Sequence, residues 1–234
     1  MNALISQPFG LGDVIFTQQL INDIVIRSGY ESVIWPVEAH FIEGLKRAYP
    51  NIEWIPLSPD IQKYISVMKK CVIDDYAIIP IRFANTMLHV PYSRCMRAKY
   101  DLYKLDWQTW RNASFQRTPE KENALIEFLG IDMGRPYHLI NKRFRTNESG
   151  IAPIPNDTSM KNIEMTNING FSMFDWSKII ENAAHISTVG TSLNYLIELL
   201  NLKASYITLY KRMPDEPHYK NYDYILTKHK YIFT

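Results

Sequence analysis

Short apolar runs alternate with amphipathic helical stretches along most of this chain, and glycine, proline or asparagine marks many of the changeovers. Residues 3–6 read as a strand and 8–13 as a turn. Residues 14–27 read as a helix, with Ile15, Leu20, Ile21, Ile24 and Val25 near helical spacing and Gly29 as its stop. Strand 32–37, helix 38–49, strand 52–57 and strand 76–81 continue the pattern. Strand, helix and strand in succession form the repeating unit of a parallel sheet with helices on both faces.

Residues 94–116 differ in character. They are rich in Arg, Lys, Tyr and Trp, and Tyr100, Tyr103, Trp107 and Trp110 are spaced to share one helical face. Such a face either packs a helix against a core or offers rings for a sugar to stack on. Pro119 then opens a helix over 120–129, closed by Gly130. A second alternating stretch follows. It reads as strand 137–144, a loop over 147–160, strand 163–166, helix 174–184, strand 186–189, helix 192–201 and strand 205–210. After the Pro214-Asp215-Glu216-Pro217 loop, short closing strands are expected at 224–227 and 231–233. Two small α/β halves result, 1–134 with the 120–129 helix as linker and 135–234, with no internal repeat beyond that symmetry.

Composition excludes several classes of function. With 46% hydrophobic and 21% charged residues in 234, the chain can fill a core and is no disordered tail. A net charge of +2 without a basic block gives no footprint for nucleic acid. The first residues lack the basic, apolar and small-residue pattern of a leader, and no apolar run approaches the roughly 18 residues of a membrane span, so a soluble, cytoplasmic protein is expected. Cys71 and Cys95 lack metal or redox spacing and read as reduced thiols. The six histidines show no HExxH or i, i+4 pair, and Asp74-Asp75 and Asp215-Glu216 read as solvated loop charges, so no metal and no cofactor are expected.

Glycine is scarce, 9 residues against the roughly 16 expected at about 7%. Two of them, Gly10 and Gly12, nonetheless stand two positions apart between a strand and a helix, in Gly10-Leu11-Gly12-Asp13. A dinucleotide fingerprint would need a small residue where Ile15 stands, and no Walker lysine follows. What remains is a tight turn presenting one carboxylate beyond the carboxyl end of a strand, where open α/β sheets bind ligands. Asp13 has two readings here: a helix N-cap, or a catalytic group. A second strand-to-helix turn lies at Gly190-Thr191-Ser192, where hydroxyls join the free N–H groups of a helix start. It too has two readings, a capped turn or an anion site suited to a diphosphate.

These residues carry a resemblance. Gly10 to Leu20, GLGDVIFTQQL, resembles the N-terminal GDVI-x-T-x-x-L signature of the heptosyltransferase-like glycosyltransferases, family 9 of the GT-B fold. Residues 182–196, NAAHISTVGTSLNYL, are similar to that family's donor-site stretch, NA-d-x-x-I-x-x-DTG-x-x-HL. The resemblance implies two small Rossmann-like domains facing each other across a cleft. It implies an inverting, metal-independent glycosyltransferase that moves a sugar from a nucleotide-diphosphate sugar to a hydroxyl on a glycan, a lipid-linked or another acceptor. Asp13 would be the base, with Gly10 and Gly12 shaping the acceptor-side loop, and Thr191 would meet the donor diphosphate beside Gly190, Ser192 and Tyr195. Gly190 stands where the motif has Asp, Ser192 where it has Gly, and Tyr195 where it has His. Positive charge for the leaving phosphates would come from Lys142 or Arg143, or from Lys211 or Arg212. A non-catalytic GT-B relic binding a glycan or a protein, and a nucleotide-sugar epimerase, are the alternatives.

Overall fold

A computed structural model of the chain describes residues 1–7, 10–67, 69, 71–91, 94–146, 148–212 and 224–234. The backbone divides into two units, Met1–Gln116 and Arg117–Thr234.

In the first unit β1 (Asn2–Ile5) leads into α1 (Leu11–Ser28), then β2 (Val33–Val37), α2 (Ile42–Ala48), β3 (Glu53–Pro56), α3 (Pro59–Ile65), β4 (Cys71–Ile73) and β5 (Tyr76–Ile79). The sheet order is β3-β2-β1-β5-β4. β1 lies at its centre, parallel to β2 and β5, and Ala3, Leu4 and Ile5 are all buried, as a strand covered on both faces requires. The helix α1 ends at Gly29, which takes a φ of 63° so that its N–H returns to the carbonyl of Val25 at 3.0 Å.

Two elements of this unit are additional to those read from the sequence. α3 follows β3 directly, and β4 turns back antiparallel onto β5 through Asp74 and Asp75, at φ 46° and 66°. Aspartate tolerates this left-handed conformation, so the hairpin forms without the glycine that would have signalled it. After α4 (Ala84–Met87), the aromatic stretch folds as α5 (Cys95–Asp101) and a separate 3-10 turn, Trp107–Asn112. Tyr100 and Trp110 are fully buried against Phe16 of α1, with ring centroids 5.4 and 5.1 Å away, and the Tyr100 hydroxyl donates to the Phe16 carbonyl at 2.8 Å. These two rings are core, not sugar platforms.

The second unit opens with α6 (Pro119–Phe128) and continues through β6 (Tyr137–Asn141), β7 (Arg143–Thr146), β8 (Glu148–Ile151) and β9 (Lys161–Glu164). After a 3-10 turn at Met173–Trp176 come α7 (Ser177–Asn182), β10 (His185–Val189), α8 (Ser192–Leu199), β11 (Ile207–Tyr210) and β12 (Tyr231–Phe233). The sheet order is β12-β11-β10-β6-β9, with every pairing parallel. The helix expected to link the halves is built into this unit. α6 packs on α7 and the 3-10 turn before it, and the Arg117 guanidinium grips the buried Glu122 while its Nη1 donates to Glu181 at 2.8 Å. The division therefore falls at Gln116 and Arg117 rather than after residue 134.

Three further expectations change. The strand expected over 137–144 breaks after Asn141, and the loop expected over 147–160 contains β8, which pairs antiparallel with β7. Gly150 leaves the place of a side chain to the Phe144 ring. Residues 224–227 form no strand, because the N–H groups of Thr227 and Lys228 donate to the buried Glu198 carboxylate of α8 at 3.0 and 2.8 Å instead of to a sheet. The Tyr231 hydroxyl donates to the same carboxylate at 2.9 Å, fastening β12 to α8. The Pro214 to Pro217 loop lies outside the described residues.

Toward the amino ends of β6 and β10, His138 and His185 face each other in register and stack with centroids 4.4 Å apart. His138 exchanges hydrogen bonds with Asn162 at 3.0 Å and Ser187 at 2.8 Å. Burial lowers the pKa of both, and for His138 the neighbouring His185 adds to the effect. Among the described residues no helix is long and apolar enough to cross a membrane.

Candidate functional site

β1 carries the chain to the carboxyl edge of its sheet, where hydrogen bonds fix the exit. Ser6 donates its N–H to the Ile79 carbonyl at 2.9 Å, its carbonyl accepts the Arg82 N–H at 2.9 Å, and the Gln7 carbonyl accepts the Trp35 indole at 2.9 Å. Pro8 and Phe9 lie outside the described residues. Gly10 then takes φ 79° and ψ 101° and occupies the N-cap position of α1 without any side-chain cap. A Cβ added at Gly10 would stand 2.5 Å from Oδ2 of Asp13. That position therefore requires glycine twice, for its backbone and for the carboxylate beside it.

Asp13 does not cap α1. It is the third residue of the helix, where its charge is favourable at the N-terminus, and its Oδ1 accepts a hydrogen bond from the Lys99 ammonium. Lys99 comes from α5, 86 residues away in sequence, and also donates to Oε1 of Gln7 at 3.0 Å. Its side chain is 5% exposed while that of Asp13 is 34% exposed, so the carboxylate keeps an open side and the ammonium does not. Gly12 is buried in the first turn of α1. Cys95, one turn before Lys99, has its thiol pKa raised mainly by burial, which fits an inert, reduced cysteine.

In the second unit β10 ends at Val189, Gly190 is buried and Thr191 caps α8. The Thr191 hydroxyl oxygen accepts the Asn194 N–H, and the Asn194 side chain accepts the Thr191 N–H at 2.9 Å, which completes a capping box. Asn141, the last residue of β6, donates from Nδ2 to the hydroxyls of both Thr188 and Thr191 at 3.0 Å. Thr191 Oγ1 thus accepts two bonds, which leaves its own proton to donate, and none of the described residues takes it. The N–H groups of Ser192 and Leu193 likewise have no acceptor among the described residues. The arrangement is at once a cap and a set of outward donors at a helix start, which suits an anion.

Around this turn the expected donor residues separate. Arg212 donates from Nε to the Gly190 carbonyl at 2.6 Å, also bonds it through Nη2, and lies over the Phe144 ring at 5.9 Å. Lys142 and Arg143 instead pair with Glu164 at 2.7 and 3.1 Å and hold its carboxyl below the usual range, Lys142 with the larger effect. Ser192 donates to the Met173 sulfur at 3.5 Å, and Tyr195 is buried. Among the described residues no group of three His, Cys, Asp or Glu could hold a metal ion.

No family model and no curated protein matches the chain. The fold is nonetheless that of GT-B glycosyltransferases, two Rossmann-like α/β units. Among solved structures, a glycosyltransferase family 9 protein from Veillonella parvula is similar at TM-score 0.57 and 9% identity, covering 100% of this chain and 86% of that one. The ADP-heptose LPS heptosyltransferase II of E. coli is similar at TM-score 0.55 and 13% identity, covering 100% and 90%. The iron-containing dodecameric glycosyltransferase TibC of enterotoxigenic E. coli gives TM-score 0.51 and 9% identity over 89% of this chain and 57% of that one. At these identities the likeness is one of fold.

Sequence reasoning missed Lys99 and Asn141. The first lies in a stretch where eleven arginines and lysines between residues 94 and 145 hide one buried lysine, and only its helical offset from Cys95 and Tyr100 toward the core could have singled it out. The second carries a clearer signal, a polar residue ending a strand directly after the apolar pair Leu139 and Ile140.

Proposed function

We propose that this protein is a glycosyltransferase that moves a sugar from a nucleotide-diphosphate sugar to an acceptor hydroxyl with inversion and without a metal. The observation that carries the reading is the partly open Asp13 carboxylate, beside a glycine turn at the carboxyl end of β1 in a chain of GT-B fold. In this reading Asp13 takes the acceptor's hydroxyl proton as the oxygen attacks the anomeric carbon from the side opposite the leaving group. The bond to the diphosphate breaks with its electron pair on the phosphate. The Thr191 hydroxyl and the N–H groups of Ser192 and Leu193 receive that negative charge, and Arg212 adds a positive field beside Gly190.

The test is turnover with a panel of ADP, UDP, GDP and CMP sugars, with and without a chelator. Asp13→Asn should lower kcat by about 10² to 10⁴ and leave donor affinity, measured by calorimetry, nearly unchanged. Unaltered turnover in that variant would refute the role of Asp13, and loss of activity on chelation would refute metal independence. The buried Tyr195, standing where the family motif has a histidine, favours a second reading as a non-catalytic binding module. Failure of the wild type to bind any nucleotide in the calorimeter would select it.

A further inference from the structure

Building on the assignment of Asp13 as the base, we infer that Lys99 is its positioning residue: it holds Oδ1, so that Oδ2, beside the open face of Gly10, receives the acceptor's proton. A buried ammonium is costly unless its donors are satisfied, and Lys99, with its side chain 5% exposed, finds its acceptors on two separate elements. One is Oδ1 of Asp13, on the first turn of α1, and the other is Oε1 of Gln7 at 3.0 Å, directly after β1. Gln7 is itself pinned, because its carbonyl accepts the Trp35 indole at 2.9 Å. Lys99 therefore approaches the carboxylate from the protein side, along a line fixed by β1 and α5.

The two carboxylate oxygens are consequently not equivalent. Oδ1 is engaged, whereas Oδ2 lies in the space a Cβ at Gly10 would fill, 2.5 Å from that point. The glycine that bends the turn thus also makes room for Oδ2 itself, and the 34% exposure of the Asp13 side chain leaves this oxygen the one a hydroxyl can approach. During transfer the proton moves from the acceptor oxygen to Oδ2, giving a neutral acid. Lys99 keeps its own three protons and its bonds to Oδ1 and Gln7 throughout. An ion pair serving stability alone would gain nothing from leaving its carboxylate 34% exposed, and apolar replacements of similar shape commonly match such a pair.

The test uses the full chain with Lys99→Met and Lys99→Arg, initial rates over donor and acceptor concentrations, and crystal structures of both variants. K99M should lose kcat by on the order of a hundredfold, as a displaced catalytic group does, with the donor KM within about twofold of wild type. K99R, which keeps a cation behind Oδ1, should recover most of the loss. In the K99M crystal the Asp13 carboxylate should have turned away from Gly10. A K99M enzyme with wild-type kcat, or one whose carboxylate keeps Oδ2 over Gly10, overturns the inference. If the wild type turns over no nucleotide sugar, the transferase reading fails separately and the Asp13 position in the K99M crystal alone decides on Lys99. Should K99M not fold, Lys99→Gln is read by the same two criteria.

Discussion

Replacing Gly10 with alanine puts two separable effects at one position. The first lies in the backbone: at φ 79° and ψ 101° a residue with a side chain is strained by about 1–3 kcal/mol. The second is steric. The new Cβ would meet Oδ2 of Asp13 at 2.5 Å, and because the neighbouring Lys99 is buried, the carboxylate can turn aside only by weakening its bond to that ammonium. Weakening a buried hydrogen-bonded charge adds about 1–3 kcal/mol, for a total of about 2–6 kcal/mol. The two parts come apart in a cycle with Asp13→Ala. With the carboxylate gone only the strain remains, so G10A should cost about 1–3 kcal/mol less in the D13A background than in the wild type, a coupling usual for residues in contact. Urea unfolding followed by tryptophan fluorescence reads this well, since Trp35, Trp54, Trp107 and Trp110 all belong to the first unit and only Trp176 to the second. Equal costs in the two backgrounds would refute the contact between Gly10 and the carboxylate. A G10A cost below about 0.5 kcal/mol would refute the strain as well.

Two further tests bear on the second unit. His138 and His185 both titrate below their ordinary value of 6.5 in the fold, so as pH falls the unfolded chain takes up their protons first. Their contribution is complete above that value and is lost as the pH drops through it toward the folded values. Thermal melts at about pH 7.5 and 5.5 should show a loss on acidification that His138→Asn reduces, and an unchanged loss in that variant would count against the pair. Arg117→Met leaves the Glu122 carboxylate, 3% exposed, without its guanidinium. Because Arg117 itself is 34% exposed, the cost should sit near the lower end for breaking a buried pair, about 3 kcal/mol, and adding Glu122→Gln should recover part of it. Denaturant titration of the single and double variants measures both, and no recovery in the double would argue that packing, not charge, is lost.

The central strands were legible because they are short, largely buried runs separated by helical periodicity; β1, β2 and β10 lie within a residue or two of where the pattern puts them. Elements without a local signature were not legible. The β4–β5 hairpin turns on two aspartates rather than on glycine, and β8 lies in a stretch whose Gly150 and nearby prolines imitate a loop. The candidate site divides the same way. Gly10, Asp13 and Thr191 stand at strand-to-helix turns that the chain announces locally. The partner of Asp13 is Lys99, brought back by the packing of α5 on α1, and long-range contacts of that kind leave no periodic trace. The same holds for Asn141, which reaches the Thr191 hydroxyl from a strand 50 residues earlier.

The fastening of Glu198 bears on how the chain is made. Its buried carboxylate has three donors, the N–H groups of Thr227 and Lys228 and the hydroxyl of Tyr231, all supplied about 30 residues downstream. On the ribosome the first unit has its whole sheet once residue 116 has emerged, and it can close while the second is still being synthesised. The second unit cannot. Until residues 227–231 leave the exit tunnel, α8 carries an unsatisfied acidic group on a face destined for the interior, and the β11 edge stands bare. That interval is when a nascent copy is most exposed to misassembly, and synonymous codon changes that slow translation before residue 227 should prolong it while leaving the finished protein unchanged.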